Sequence, residues 1–534
     1  MVTSAETTPA FVQQSRWRVW GKRIGLAAAM LLPAIIIAHA VWSWRAGVGL
    51  RKRVADLTAM GEPMTLATFA PAPPPDPADN AYPLLQQALA VAGTETPARK
   101  ELEKYDDSPA PPLTPYERTL LAPYLAERQA ALPLLAEAAR RPACVALLTP
   151  KSPVIELLLP SLNGLRDNAN LLWRQALADH DAGTHDVALG RLLQIEITAR
   201  GAASHPSIVG YLVGAGCRAL EAEGILSLAP HLKIGTSAGE APPALVRAAI
   251  DAMLDDSAIA AEERRAYQSE RFLQVDTLES IASGKTSIAN VAGMTGQASS
   301  NSPSIDNRVS RYVTRPLALQ SASVCCDVST RLIAGLGAPD LPTAKQQLAS
   351  VMKDVTAIGS KPQYFMASMV LPTTSRAIEV GYLTRTDRRL AAIALAARWY
   401  ATEHDGRLPA TLAELTPRYL PAVPLDPMVA GVAMLYDAAR GIAWSVGEDG
   451  FDHGGNAAAV RPRAGEVPSR WQTFDNVASL IPAPRVFSPQ MQRELDLNLD
   501  AVLEPPPASQ PSVPATPATQ AADSVRRFDP KKGT

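Results

Sequence analysis

Three stretches carry residue types that could do covalent or metal chemistry. Gly235-Thr236-Ser237-Ala238-Gly239 has the G-x-S-x-G spacing of a nucleophile elbow, in which a sharp strand-to-helix turn exposes a serine hydroxyl. Helical sequence and Pro230 precede it and Pro242 and Pro243 follow it, with no alternating strand pattern nearby, so an interhelical loop is expected. His180, Asp181, His185 and Asp186 form the densest set of potential metal ligands. Imidazoles five residues apart do not share a helix face as an i, i+4 pair would, and the four residues read as a solvated turn. Gly284-Lys285-Thr286 matches only the end of a phosphate-binding loop: Glu279 stands where the first glycine belongs, and no strand leads in. Glu262, Glu263, Arg264, Arg265, Glu270 and Arg271 read as a charged helix face, although Glu270 and Arg271 inside a core would be costly enough to imply a purpose. No catalytic or cofactor-binding set is expected, and the chain reads as a non-enzyme.

The composition bounds what must hold these residues. A 534-residue chain with 47% hydrophobic and 19% charged residues has a globular balance. Net charge is −1, and no basic run interleaved with aromatics lies outside residues 16–53, which excludes a nucleic-acid partner. Proline is abundant, at 47 residues, and only 5% are aromatic, so a mainly α fold with many breaks is expected. Cys144, Cys217, Cys325 and Cys326 contain no C-x-x-C pair; they read as small buried hydrophobes, with a Cys144–Cys217 bridge open to an oxidising compartment.

The element on which the rest depends is Ile24 to Trp44, with no Lys, Arg, Asp or Glu. As a helix it covers roughly 30 Å, the thickness of a bilayer's hydrocarbon core. Trp17, Trp20, Trp42 and Trp44 stand where interfacial aromatics collect, and four basic residues flank each end. The apolar run is longer than a cleavable signal's, so a single-pass signal anchor is expected, with the bulk of the chain periplasmic or otherwise extracytoplasmic. The expected organisation is a cytoplasmic tail over 1–23, a transmembrane helix over 24–44, and a basic helix with a Pro-rich linker over 45–79. A helical domain over 80–384, a small α+β module over 385–460 (a helix plus a β-hairpin), and a disordered Pro-rich tail over 484–534 follow. Within the body, residues 162–200 read as an αα-hairpin turning at Gly183, Pro206 as the first turn of a third helix, and 243–282 as one long helix. Residues 284–304, poor in large apolar groups, read as a flexible excursion.

The residues from Arg389 to Gly455 carry a resemblance. Tyr400, Gly406, Pro409, Tyr419-Leu420-Pro421, Asp426-Pro427, Tyr436 and Ser445-Val446-Gly447-Glu448-Asp449-Gly450 resemble the C-terminal part of type II secretion pseudopilins. With the GEPMTLATFAP and NAYPLL segments, most of the chain also resembles a broad bacterial family of membrane-anchored helical proteins without assigned function. The pseudopilin likeness implies a calcium loop, and the matching ligands are the Ser445 carbonyl with the Asp449 and Asp452 carboxylates. Calcium takes 6–8 oxygens, and His453 stands where a further acid would help. The chain as a whole reads as a single-pass membrane-anchored envelope protein that serves binding or assembly. Its partners would be the lipid bilayer and other envelope proteins. A secretion- or pilus-apparatus component and an unrecognised membrane-anchored hydrolase or metalloenzyme are the alternatives.

Overall fold

The computed structural model describes residues 11–69, 75–93, 96–104, 109–149, 151–154, 162–294, 307–371, 374–461, 470–482, 485, 487 and 492–493. Residues 1–10 of the expected cytoplasmic tail and 494–534 of the expected disordered tail lie outside these, as do 70–74 of the Pro-rich segment and 295–306 of the excursion.

The chain is mainly α. Its first helix, α1 (Phe11–Ala59), is longer than the expected span: one unbroken element covers the apolar stretch, the second half of the expected N-terminal tail and the basic segment after it. It is the helix among the described residues long and apolar enough to cross a membrane. There follow α2 (Leu66–Phe69), α3 (Tyr82–Ala92), α4 (Pro97–Leu102), α5 (Pro115–Arg128) and α6 (Leu132–Ala139). At α5 Thr114 and Glu117 satisfy each other's backbone N–H, which fixes its start. Just ahead of α3, Asn80 Oδ1 accepts from the Tyr82 N–H at 3.2 Å and from the Val145 N–H at 2.9 Å, while its Nδ2 donates to the Val145 carbonyl. The expected hairpin is present as α7 (Leu162–Asp181) and α8 (His185–Ala203), with Gly183 at φ 81° between them. Next is α9 (Ile208–Leu228), capped by the Ser207 hydroxyl, so Pro206 lies just outside rather than in its first turn.

The expected long helix over 243–282 is two helices, α10 (Pro243–Leu254) and α11 (Ser257–Ser283), because Asp255 accepts from the Ser257 N–H and caps a new start. The remainder is α12 (Ile288–Met294), inside the expected excursion, then α13 (Asn307–Ala334), α14 (Leu341–Gly359), α15 (Phe365–Val370) and α16 (Thr374–Glu403). The small sheet has three strands, not the two of a hairpin: β1 (Leu435–Asp437), β2 (Ile442–Ser445) and β3 (Asn476–Ser479), antiparallel in that order. All four cysteines are free and buried, so Cys144 and Cys217 are not bridged.

Two large apolar cores result, with two clusters of three buried residues beside them. One is built by α3 and α5–α10 with the sheet, the other by α1, α11 and α13–α15. Leu50, Leu57 and Met64 are buried in the second core, so the segment expected as helix and linker is part of the body. The helix α16 runs through both cores and crosses residue 385, the expected start of the C-terminal module, without a break. Arg485, expected near the start of the disordered tail, is paired with Glu117 at 2.8 Å.

Candidate functional site

Where α16 passes from one core to the other, its sequence turns polar. Ala377, Ile378, Tyr382 and Leu383 lie in the second core and Leu390 to Ala397 in the first. Between them Thr384, Arg385, Thr386, Asp387 and Arg388 are all buried. Buried charges must be paired, and the partners come from α8, α9 and α11. Arg385 Nη2 donates to Glu263 Oε2 at 2.8 Å. Arg388 Nη1 lies 3.4 Å from Glu221 Oε2 and 4.0 Å from Glu196 Oε2, while its Nη2 donates to the Ala252 carbonyl. Arg218, with no exposed surface, donates to both oxygens of Glu196 and to Glu262 Oε2 at 2.7 Å. Asp387 faces the sheet and accepts from Trp471 Nε1 and Asn476 Nδ2, both at 2.7 Å, which ties β3 to α16.

Two neighbouring acids are pushed in opposite directions. Burial pushes the Glu221 pKa up to about 8, aided by the nearby Glu196 and against the pull of Arg388. Glu196 goes the other way, held low by Arg218. Near the same layer the Tyr211 hydroxyl is buried without a hydrogen-bond partner among the described residues, and burial raises its pKa. Gly381 permits this packing: a Cβ there would stand 2.6 Å from Tyr211 Oη. The arrangement fixes four helices, α8, α9, α11 and α16, to one another.

The residues singled out by chemistry are placed as follows. His180 and His185 do meet, Nδ1 to Nδ1 at 3.0 Å across the α7–α8 turn, with the His231 ring 6.3 Å from that of His180. Burial holds His180 down to about 4, and His185 and His231 are lowered too. The expected solvated turn is therefore half-buried. Asp181 is spent on Arg118 at 2.7 Å. Ser237 lies exposed in a tight loop whose Gly239 carbonyl accepts from the His185 N–H, and the Ser237 N–H donates to Glu240. Among the described residues no group of three or more His, Cys, Asp or Glu side chains is arranged to hold a metal ion.

The expected charged face over 262–271 is a correction. Glu263 and Arg271 are buried, Glu262 and Glu270 largely so, and only Arg264 and Arg265 are exposed. Arg271 pairs with Glu62 at 2.6 Å, and Glu270 accepts from the Ile208 N–H.

In the C-terminal module Asp426 is the organising acid, accepting from Ser445 Oγ at 2.8 Å and the Val446 N–H at 3.0 Å. Asp449 accepts from the Phe451 N–H, and Asp452 from Trp444 Nε1 and the Gly454 N–H, so each candidate calcium carboxylate closes a local turn. Arg218, Glu196, Glu221, Arg385 and Arg388 were not singled out from the sequence. Part of their signal is there: Arg218 with Glu221 is an i, i+3 charged pair on the largely apolar α9, whereas Arg385 and Arg388 fall in the polar run Arg385 to Arg389 of α16. Compared with models of protein families, with curated proteins and with solved structures, the chain matches none.

Proposed function

We propose that this chain is a single-pass, membrane-anchored envelope protein whose helical body serves binding or assembly rather than turnover. One observation carries the reading: α1 does not end at a flexible tether but continues into the body. Leu50 and Leu57 are buried in the second core, Arg53 pairs with Asp327 at 2.8 Å, and Glu62 pairs with the buried Arg271. Apolar burial along α1 and a buried ion pair just after it fix the body at a set height and rotation beside the bilayer, as a presenting platform requires. Glu262 is paired with Arg218 and Glu270 with backbone, and none of His180, His185, Ser237, Glu262 and Glu270 lines the 280 Å³ cavity beside α1.

The test is crosslinking in intact cells, followed by fractionation and mass spectrometry. The chain is expected in the salt-washed membrane pellet with envelope proteins crosslinked to the body. Recovery of the intact chain in the soluble pool overturns the anchor, and labelling of Ser237 by a fluorophosphonate probe overturns the non-enzyme reading.

A further inference from the structure

A cavity of about 280 Å³ opens between α1, α11 and α13 at the point where α1 leaves its apolar stretch. Gly47, Arg51, Asp276, Glu279, Lys285 and Arg315 line it, with the hydroxyls of Ser152, Ser280 and Ser283. The residue types are those of an anion site. Asp276 is already engaged, accepting from Ser152 Oγ at 2.7 Å and the Val154 N–H at 2.8 Å. Arg51, Lys285 and Arg315, by contrast, make no ion pair within 4 Å and no side-chain hydrogen bond among the described residues, although Arg51 and Lys285 both lie near enough to Glu279 to favour its charged form. Three cations against two carboxylates leave the cavity one formal positive charge.

Its place along α1 narrows the ligand. Gly47 and Arg51 lie three and seven residues past Trp44, about 5 and 10 Å along a helix axis. The headgroup layer on each face of a bilayer is roughly 5–8 Å thick, so the cavity begins at headgroup depth. The second wall agrees. Tyr312 of α13 stacks on His39 of α1 with ring centroids 4.3 Å apart, which carries the start of α13 back alongside the apolar stretch. Tyr312 and Val313, one turn before Arg315, are exposed there, as a side chain facing lipid would be. The volume is near the lower end of small-ligand pockets, roughly 300 Å³, and suits a headgroup without its acyl chains.

We propose that this cavity binds the headgroup of an anionic phospholipid, Arg51, Lys285 and Arg315 holding the phosphodiester while Glu279 and Ser283 accept from or donate to headgroup hydroxyls. The site deepens the membrane-anchored reading and rests on it. Binding there would lock the height of the body against the bilayer and make its seating depend on lipid composition.

Native mass spectrometry of the detergent-solubilised full chain tests this, with phosphatidylglycerol, phosphatidylethanolamine and phosphatidylcholine offered in competition and soluble glycerophosphoglycerol as a separate arm. One phosphatidylglycerol is expected to be retained in preference to the zwitterionic lipids, and Arg51→Gln/Lys285→Gln/Arg315→Gln to lose it at least tenfold. Glu279→Gln keeps the cations and is expected to weaken the preference for a hydroxylated headgroup without abolishing phosphodiester binding. All four side chains are exposed, so a circular-dichroism melt like that of the unaltered chain is expected of both variants. Equal retention of all three lipids, or an unchanged triple variant, overturns the site. Glycerophosphoglycerol bound as tightly as the lipid overturns the membrane as its source. Retention of the triple variant in salt-washed membranes reads the anchor by itself, so loss of anchoring and loss of the site are told apart.

Discussion

Arg218 and Glu196 meet in a two-point contact, Nε to Oε2 at 2.8 Å and Nη2 to Oε1 at 2.7 Å, with the guanidinium wholly buried. A buried ion pair adds little beyond what an apolar pair of the same shape would, but removing one partner strands the other charge. Arg218→Met strands Glu262 and leaves Glu196 only the more distant Arg388, 4.0 Å away, and is expected to cost about 3–5 kcal/mol in urea unfolding of the solubilised chain. Adding Glu196→Leu and Glu262→Met to it should recover most of that loss. A single-variant loss under about 1 kcal/mol would mean the charges reach water in solution.

Glu221 makes the same layer sensitive to pH. Its folded pKa is raised to about 8, so between the usual carboxylate range and pH 8 the folded chain binds a proton that the unfolded chain does not. Its contribution to stability is therefore complete at low pH and lost as pH rises toward 8. Glu221→Gln removes that loss. The variant is expected to gain on the order of 3 kcal/mol over the unaltered chain between pH 5 and pH 9. A difference that stays flat with pH would show that Glu221 is ionised throughout.

His205 has the opposite sign. It is buried, its Nε2 lies 2.7 Å from Tyr82 Oη, and burial pushes its pKa down to about 4. Below about pH 6.5 the unfolded chain takes up a proton that the folded chain refuses, so stability from this group is whole above that pH and falls toward pH 4. His205→Gln is expected to be less stable at pH 7, with the deficit shrinking by about 2–3 kcal/mol on the way to pH 4. Chemical denaturation at pH 7, 5.5 and 4 reads both this slope and that of Glu221; a deficit that grows on acidification would refute the assignment.

How much of this was legible in the sequence depends on where each residue finds its partner. The α7–α8 hairpin was readable because its apolar stripes and Gly183 are local signals. The break at Asp255-Asp256 is local too, but a lone Asx cap inside a periodic run is easily read through. The third strand was not legible: Asn476 and Ser479 are polar, and what orders them is Asp387 on α16 and the register with β2. The charged run over 262–271 has the period of a solvated face, and it turns inward because Arg218 and Arg385 approach it from distant parts of the chain. Periodicity finds a helix; it does not say which face meets a partner that supplies the opposite charge.

The Asp449–Asp452 loop tests the pseudopilin likeness directly. Both carboxylates already close turns on backbone N–H groups and Trp444, and a calcium ion would need to gather at least six oxygens around them. Calcium at millimolar concentration is expected to move the melting midpoint of the full chain by less than about 1 °C, since weak sites at that level bind only in the millimolar range. A rise of several degrees, abolished by Asp452→Asn, would establish the metal site implied by the resemblance.

Gly214 and Gly216 lie two residues apart on α9, and the structure assigns them opposite tolerances. A Cβ at Gly214 would stand 2.9 Å from the Ala199 carbonyl oxygen and 3.3 Å from the Ala203 Cβ, so α8 and α9 touch backbone to backbone there. A Cβ at Gly216 would meet nothing within 4 Å. Alanine at an open helical position stabilises by roughly 0.5–1 kcal/mol, whereas forcing a methyl into a packed contact costs about 1–3 kcal/mol. Gly216→Ala should therefore raise the denaturation midpoint and Gly214→Ala lower it. Because backbone entropy and helix propensity change alike in the two variants, the opposite signs would isolate the α8–α9 contact as the cause. That contact also sets the approach of Arg218 on α9 to Glu196 on α8, so Gly214→Ala should lose part of its stability through the ion pair. Combined with Arg218→Met, its cost should be smaller than when made alone; strict additivity would place the two effects in separate parts of the interface.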